Sequence, residues 1–446
     1  MATNESVPLR VFSLNCWGLR YISKNREERM VMLGDKLSRE NHDIVLLQEL
    51  WSETDFLYLK KTLSSTHLHS YHFKSGVIGS GLAVFSRYRI LDVFFYRFSV
   101  NGYPYMIHHG DWFGGKAVGM VQMKINGLMA HVYVTHLHAE YCRERDVYLP
   151  HRVVQAWELQ QFIRHTSRGA DLVIVGGDFN THPQDLGCRL VRAYTGLRDS
   201  YSETDAFDGC EDGLTLIAKN PYISAKELGP FEKGIRIDYI LFKGSKCVGV
   251  KCESLSITQG SCPGSAIPLS DHEALNAQLL LLPTDPNSQK GEPESSEENT
   301  GKLAELVDLL TEARTEVKVG VHGAERQRHR AARTGAMGVA LLLLELAMAA
   351  VPWLVPGSSA AATQPFPRGS FCLLGALCFC LLLLAALLWL FHSDELKALR
   401  SADDHMRLAA ASLLEQLRAR TPTPTTHAAD EDGPANQDAG STSKED

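Results

Sequence analysis

Ten cysteines are scattered along the 446 residues without a CxxC pair or regular spacing, and three of them, Cys372, Cys378 and Cys380, lie inside a hydrophobic run. That argues against a disulfide framework and for reduced thiols in a cytosolic compartment. Basic charge is not in surplus: 45 Lys and Arg stand against 52 Asp and Glu, net −7. The electrostatic footprint of a non-specific polyanion binder is missing, and no nucleic-acid partner is expected. The opening MATNESVPLRVFSLNCWGLR has no long apolar core behind a basic start. No secretory signal is read there, and the N-terminal domain is expected on the cytosolic side. The string Gly114-Gly115-Lys116 lacks the GxxxxGK[ST] spacing of a Walker loop.

What is present divides unevenly. From Val7 to about Leu282, short apolar runs (VFSLN, DIVLLQE, GLAVFS, AHVYVTH, DLVIVGGD, IDYILF) alternate with polar segments of helical length. Their β-branched and aromatic content, bounded by Gly, Asp and Asn, favours strands. Helices are expected over Arg26–Arg39 and from His151 to about His165. Residues 7–282 fit one α/β domain, a two-sheet sandwich flanked by helices. Residues 283–301 are polar, acidic and Pro-bearing, the composition of a disordered linker.

Residues 302–334 form an amphipathic and basic juxtamembrane segment, with Leu303, Leu306, Leu310 and Val317 on one helical face. It reads as a spacer, with docking on the membrane surface or back on the domain as the alternatives. Segments 335–355 and 371–391 are each long enough to cross a ~30 Å hydrocarbon core as helix. Glu345 and Pro352 make the first the weaker span, and Glu345 reads as a tolerated insertion, since one acid makes no ion relay. Arg326, Arg328, Arg330 and Arg333 precede the first span, while the connection 356–370 carries only Arg368. The positive-inside bias then puts residues 1–334 in the cytosol, and two crossings return the tail to that side. Residues 392–420 read as a helix and 421–446 as a disordered tail.

Four strings carry chemistry. In DLVIVGGDFN a buried strand reaches two glycines and presents Asp178 and Asn180, able to hold a metal or a phosphoryl oxygen, although Asp and Asn after Gly are also ordinary turn chemistry. DIVLLQELW ends on Glu49, a suitable oxygen ligand for Mg²⁺ or simply a solvated strand end. Asn15 in FSLNCWG has the same placement and either adds an amide oxygen, orients Glu49 or caps a turn. VYVTHLHAE delivers His136 and His138 on one face, and PLSDHEA supplies Asp271 and His272. Histidine takes a proton from water near neutral pH. A lone histidine is more often a satisfied or surface imidazole, but four such strings in one domain weaken that reading. A fifth, GIRIDYILF, puts Asp238 in an apolar strand, where it needs a partner; His272 is the candidate.

In kind and order these residues resemble the deoxyribonuclease-I-like endonuclease/exonuclease/phosphatase superfamily over residues 7–282, and within it the neutral sphingomyelinases with two C-terminal membrane spans. LNCWGL, QELW, THLHAEY, GGDFN and SDHEA carry the likeness. The resemblance implies two packed β-sheets flanked by helices, with the motifs converging at one rim and a transmembrane hairpin behind. It implies Mg²⁺, with Mn²⁺ as a substitute, on Glu49 with Asn15 close by, and Asp271 as a second-site ligand. Asp178 and Asn180 match the pair on the metal-bound phosphate and its attacking water. His272 matches the general base, Asp238 the carboxylate that orients it, and His136 a histidine stabilising phosphate charge or assisting the leaving group.

The implied activity is Mg-dependent hydrolysis of sphingomyelin to ceramide and phosphocholine at neutral pH, with phosphocholine lysophospholipids such as lyso-platelet-activating factor as further substrates. The implied location is a multi-pass membrane protein of the endoplasmic reticulum and nuclear envelope, or of the plasma membrane. The loop Asn101 to Gly119 offers three readings. It presents Trp112 and Phe113 to a bilayer, or Tyr103, Tyr105 and Trp112 to a quaternary ammonium, or it is a plain β-hairpin, with Asp111 and Lys116 pairing to set its shape. The runner-up activity is an endonuclease or nucleotide phosphodiesterase on the same fold, against which stand the negative charge and the hairpin. An inositol-polyphosphate phosphatase is third, lacking its WCDR-type string. A non-enzymatic scaffold would be expected to have lost one of Glu49, Asp178, Asn180 or His272, and all are present.

Overall fold

The computed structural model describes residues 6–260, 265, 267–283, 296–354 and 368–420. The chain begins β1 (Val7–Asn15), α1 (Arg26–Arg39), β2 (Ile44–Gln48), α2 (Glu53–Thr62), β3 (His69–His72), β4 (Ala83–Ser86) and β5 (Ile90–Arg97). It continues through α3 (Asp111–Gly114), β6 (Ala117–Ile125), β7 (Leu128–His136), α4 (Leu149–Thr166), β8 (Leu172–Asp178), α5 (Leu186–Thr195) and β9 (Arg198–Asp199). Then come α6 (Ser200–Glu203), β10 (Ala206–Asp208), β11 (Leu216–Ile217), α7 (Ala225–Leu228), β12 (Gly234–Ile235), β13 (Asp238–Gly244), β14 (Val248–Ile257) and β15 (Leu275–Pro283). Two long helices close the described chain, α8 (Ser296–Leu354) and α9 (Arg368–Arg420).

One sheet has the order β10-β14-β15-β1-β2-β4-β3 and the other β5-β6-β7-β8-β13-β9. The apolar runs are continuous because their strands have no wet face. In β1, Leu9 and Val11 enter the core between the sheets, while Phe12 and Leu14 pack with Met30, Leu33 and Leu37 of α1. In β8, Leu172 and Ile174 face the other sheet, and Val173 and Val175 pack with Leu159 and Ile163 of α4. Strands covered on both sides read as unbroken hydrophobic strings.

Register fixes the rim. β1 and β2 run parallel with Asn15 opposite Gln48, so Asn15 and Glu49 emerge at one end. β7 and β8 run parallel with His136 opposite Asp178, and antiparallel β13 begins with Asp238 opposite that same Asp178. β8 runs through both glycines rather than stopping at them. Gly177 sits at φ +150°, and a Cβ there would lie 2.0 Å from the Thr135 carbonyl oxygen, so only glycine lets β7 stay paired up to Asp178.

Three expectations change. The segment 302–319 is docked on the domain, not a spacer: Leu309, Leu310, Ala313 and Val317 of α8 join Val153, Val154 and Trp157 of α4 and Leu190 of α5. Its apolar face is longer than the leucine pattern suggested because small alanines complete it. Residues 296–301, read as linker, already belong to α8, whereas 284–295 and the tail 421–446 lie outside the described residues. The stretch from Asn101 forms no hairpin of its own: residues 101–116, α3 among them, belong to the long connection between the antiparallel strands β5 and β6, and 117–119 already lie in β6.

α8 and α9 are each long and apolar enough to cross a membrane. Over those stretches they expose Leu343, Leu344, Leu373, Leu377 and Phe379. Glu345 is turned inward, 3.3 Å from where a side chain on Gly375 of α9 would begin.

Candidate active site

The strand ends converge. The Asn15 amide oxygen accepts the Trp17 N–H at 3.0 Å, which aims its NH₂ at Glu49 Oε1 (3.1 Å) and Asp178 Oδ2 (3.0 Å). His272 Nε2 lies 3.4 Å from the same NH₂ and 3.8 Å from Asp178 Oδ2. Behind it, His272 Nδ1 is 2.8 Å from Asp238 Oδ2. Asp238 is held in turn by its own N–H on Thr215 Oγ1. Asn180 donates its side-chain NH₂ to the Leu137 carbonyl, and its N–H reaches Asp178 Oδ1 at 2.9 Å. Asp271 accepts from Ser270 Oγ at 3.0 Å.

The backbone is strained here. Trp17 (φ 45°), Glu49 (φ 54°) and Asn180 (φ 48°) all take the left-handed conformation. Trp and Glu visit it rarely, at a cost of order 1–3 kcal/mol each, and such costs gather at functional sites.

Two residues that sequence reasoning left outside the site belong to it. Lys116 is buried, with its ammonium 2.9 Å from Asp111 Oδ1 and 2.7 Å from His136 Nε2. His136 Nε2 is also 3.3 Å from Asp178 Oδ2 and 4.0 Å from Glu49 Oε1. The Asp111–Lys116 pair was legible, but its reach to His136 was not. Arg29 is fully buried and donates to the carbonyls of Cys16, Trp17 and Leu269, tying the loop after β1 to the segment before Asp271. Nothing in the string REERM distinguishes it from a surface arginine.

Electrostatics follow from burial opposed by partners. Burial alone would raise Asp178; His136, then His272 and Lys116, more than offset it and hold the carboxyl well below the usual carboxylate range. Burial likewise opposes charge on His272, but the carboxylates of Asp238, Asp178 and Asp271 win and raise the imidazole well above its ordinary value. Burial pushes Asp238 up. Nδ1 faces the Asp238 carboxylate, and Nε2 faces the Asn15 amide and Asp178. The Asp271 carboxyl is pushed up to about 7, chiefly by burial, with the Glu49 carboxylate adding to it.

Carboxylates thus outnumber the cations that face them, and two repel each other. A hard divalent cation on Glu49 and Asp271 would relieve that repulsion with the all-oxygen ligation Mg²⁺ prefers. Donor atoms of Asp178, Asp238 and His272 also lie within 4.8 Å of one another.

Other expected residues lie apart. His138 is buried away from Asp178, stacked on Tyr148 at 4.1 Å, and burial lowers it to about 3. Tyr105 stacks on Tyr103 at 5.3 Å and approaches His392 of α9, whereas Trp112 meets Phe113. Among the described residues no ring contact joins Trp112 to either tyrosine.

The Endonuclease/Exonuclease/phosphatase family profile matches residues 12–272. Sphingomyelin phosphodiesterase 2 of Mus musculus is 46% identical over 413 residues, covering 91% of this chain and 93% of that protein. The Homo sapiens protein of the same name is 48% identical over 350 residues, covering 78% of this chain and 82% of its own. The inositol phosphosphingolipids phospholipase C of Schizosaccharomyces pombe is 32% identical over 303 residues, covering 63% and 70%.

Proposed function

The chain belongs to the endonuclease/exonuclease/phosphatase family and is a phosphodiesterase, and from that premise we propose that it hydrolyses sphingomyelin to ceramide and phosphocholine with Mg²⁺. Phosphocholine lysophospholipids are proposed as further substrates and Mn²⁺ as a substitute ion. The observation that carries the reading is the Asp238–His272 couple aimed past Asn15 at Asp178 and Glu49, on a chain 46% identical to a protein named for sphingomyelin.

His272 Nε2 takes a proton from the water that Asp178 and Asn180 orient, while Nδ1–H stays on Asp238. The water oxygen attacks phosphorus in line, and the bond to the ceramide oxygen breaks, that oxygen leaving with a proton assisted by His136 while the proton on His272 Nε2 returns to solvent. Lys116 and His136, held together, face the developing negative charge and supply donors for it. Glu49, oriented by the Asn15 NH₂, would with Asp271 hold Mg²⁺, which when bound supplies charge neutralisation at the phosphoryl oxygens. Trp112 and Tyr105 are proposed to face the choline head group from separate sides of the 102–116 loop.

We read α8 and α9 as a hairpin crossing the bilayer near 335–355 and 371–391, with the domain and tail in the cytosol. The contact of Tyr103 with Phe391, at the end of the second apolar stretch, supports a site mouth at the bilayer surface. So do the nearby exposed Tyr105 (43%) and Ile107 (73%).

The test is product identification from mixed membrane lipids incubated with the full chain. Phosphocholine and ceramide should appear with Mg²⁺ and vanish in EDTA. Inositol phosphate instead would assign the head group named for the yeast relative, and cleaved DNA without lipid turnover would overturn the reading.

A further inference from the structure

Glu395, His151 and His392 form a buried cluster that the reaction does not use. Glu395 lies on α9, just past the second apolar stretch, and its side chain is 3% exposed. His151 Nε2 is 2.9 Å from Glu395 Oε1, and His392 Nδ1 is 2.7 Å from Oε2. The other nitrogen of His151, Nδ1, accepts the Gly102 backbone N–H at 3.1 Å. A backbone N–H can only donate, so Nδ1 is bare, and the ring proton sits on Nε2, directed at Glu395. Burial opposes charge on Glu395, yet the hydrogen bonds from His151 and His392 more than offset it and bring the carboxyl down to about 2.

Gly102 begins the loop that ends in Lys116. It sits at φ +81°, and a Cβ there would lie 2.4 Å from His138 Nε2, so the chain passes through a slot with no room for another residue. Farther along, Asp111 takes the Tyr141 hydroxyl at 2.6 Å and Lys116 Nζ at 2.9 Å, and Lys116 reaches His136. Docking of α9 needs none of this polarity. Leu396, Leu399, Ala402 and Met406 already pack it against α4 and α8, and a buried carboxylate with two imidazoles adds desolvation cost that apolar residues would avoid. The cluster fixes a position rather than adding stability.

We propose that Glu395 is a positioning residue: through His151 it fixes Gly102, and with it the loop that carries Lys116 to His136, so that the active geometry exists only while α9 is docked. This rests on the phosphodiesterase reading for its activity arm alone. The membrane hairpin is then a structural member of the site and not a tether.

The experiment uses the full chain reconstituted in vesicles of phosphatidylcholine and sphingomyelin, with two readouts: steady-state turnover, and hydrogen–deuterium exchange of the amides from 102 to 116. Glu395→Ala is expected to lower kcat roughly tenfold, and to speed exchange in the loop. Glu395→Gln keeps an oxygen for His151 Nε2–H and should retain most of kcat. His151→Phe should match Glu395→Ala, and the double variant should be no worse than either. Asp403→Asn, which breaks only the Arg314–Asp403 pair between α8 and α9, should leave both readouts at wild-type values. Additive losses, an equal loss in Asp403→Asn, or wild-type exchange in Glu395→Ala would each overturn the proposal. If the wild-type chain turns over no phosphocholine lipid, the reaction assignment fails while the exchange data still decide the clip. Should Glu395→Ala not fold, His151→Phe carries the same two readouts.

Discussion

Single residues at strand ends were readable because chemistry makes them odd there. A carboxylate opening the apolar string IDYILF demands a partner, and Asp238 has one in His272. A buried Lys116 gives no such signal, since an amphipathic cation in a glycine-rich loop looks solvated until the fold closes over it. The pairing makes His272→Ala the informative removal. Turnover should fall by roughly a thousandfold with vesicle binding intact, and retained turnover would strip His272 of the role of base. His67, outside the site, contributes to the loss of stability in acid. Burial holds His67 neutral in the folded chain, lowered from 6.5 to about 4. The unfolded chain binds that proton first, so the contribution is complete above about pH 6.5 and drains away as pH falls toward 4. Urea midpoints at pH 7.5 and pH 5 should therefore lie closer together in His67→Phe than in the wild type, and an equal spread would refute the assignment.

At the scale of elements, the strands and the first helix were legible from continuous apolar runs and from an acidic start and basic finish; α1 occupies Arg26–Arg39 as read. The docking of α8 was not, because its contact face mixes leucine with alanine and its partner face, on α4, is 150 or more positions away in the chain. Leu399, fully buried on α9, tests that contact. Leu399→Ala should cost about 2–5 kcal/mol if the helix is packed, read as a lowered midpoint in denaturant, and no loss would mean the helices stand off the domain. Gly177→Ala addresses β8. The added Cβ would push the Thr135 carbonyl away, so about 2–4 kcal/mol of stability should go, together with activity, because Asp178 is the next residue. A stable, active variant would contradict the register.

For the whole molecule, charge and composition favour the proposed lipid substrate over a nucleic acid more than the fold does. A net charge of −7 and two helices able to cross a membrane suit a lipid phosphodiester and offer nothing to a nucleic acid. The glycerol or sphingoid side of the lipid, by contrast, left no mark in the strings, because acyl chains would stay in the bilayer and touch no residue type with a signature. In the proposed reaction water, activated at His272, attacks phosphorus and expels ceramide. Hydrolysis of sphingomyelin by the full chain in ¹⁸O-labelled water, followed by mass spectrometry of both products, tests it most directly. One heavy oxygen should appear in phosphocholine and none in ceramide; label in ceramide, or no ceramide at all, would contradict it.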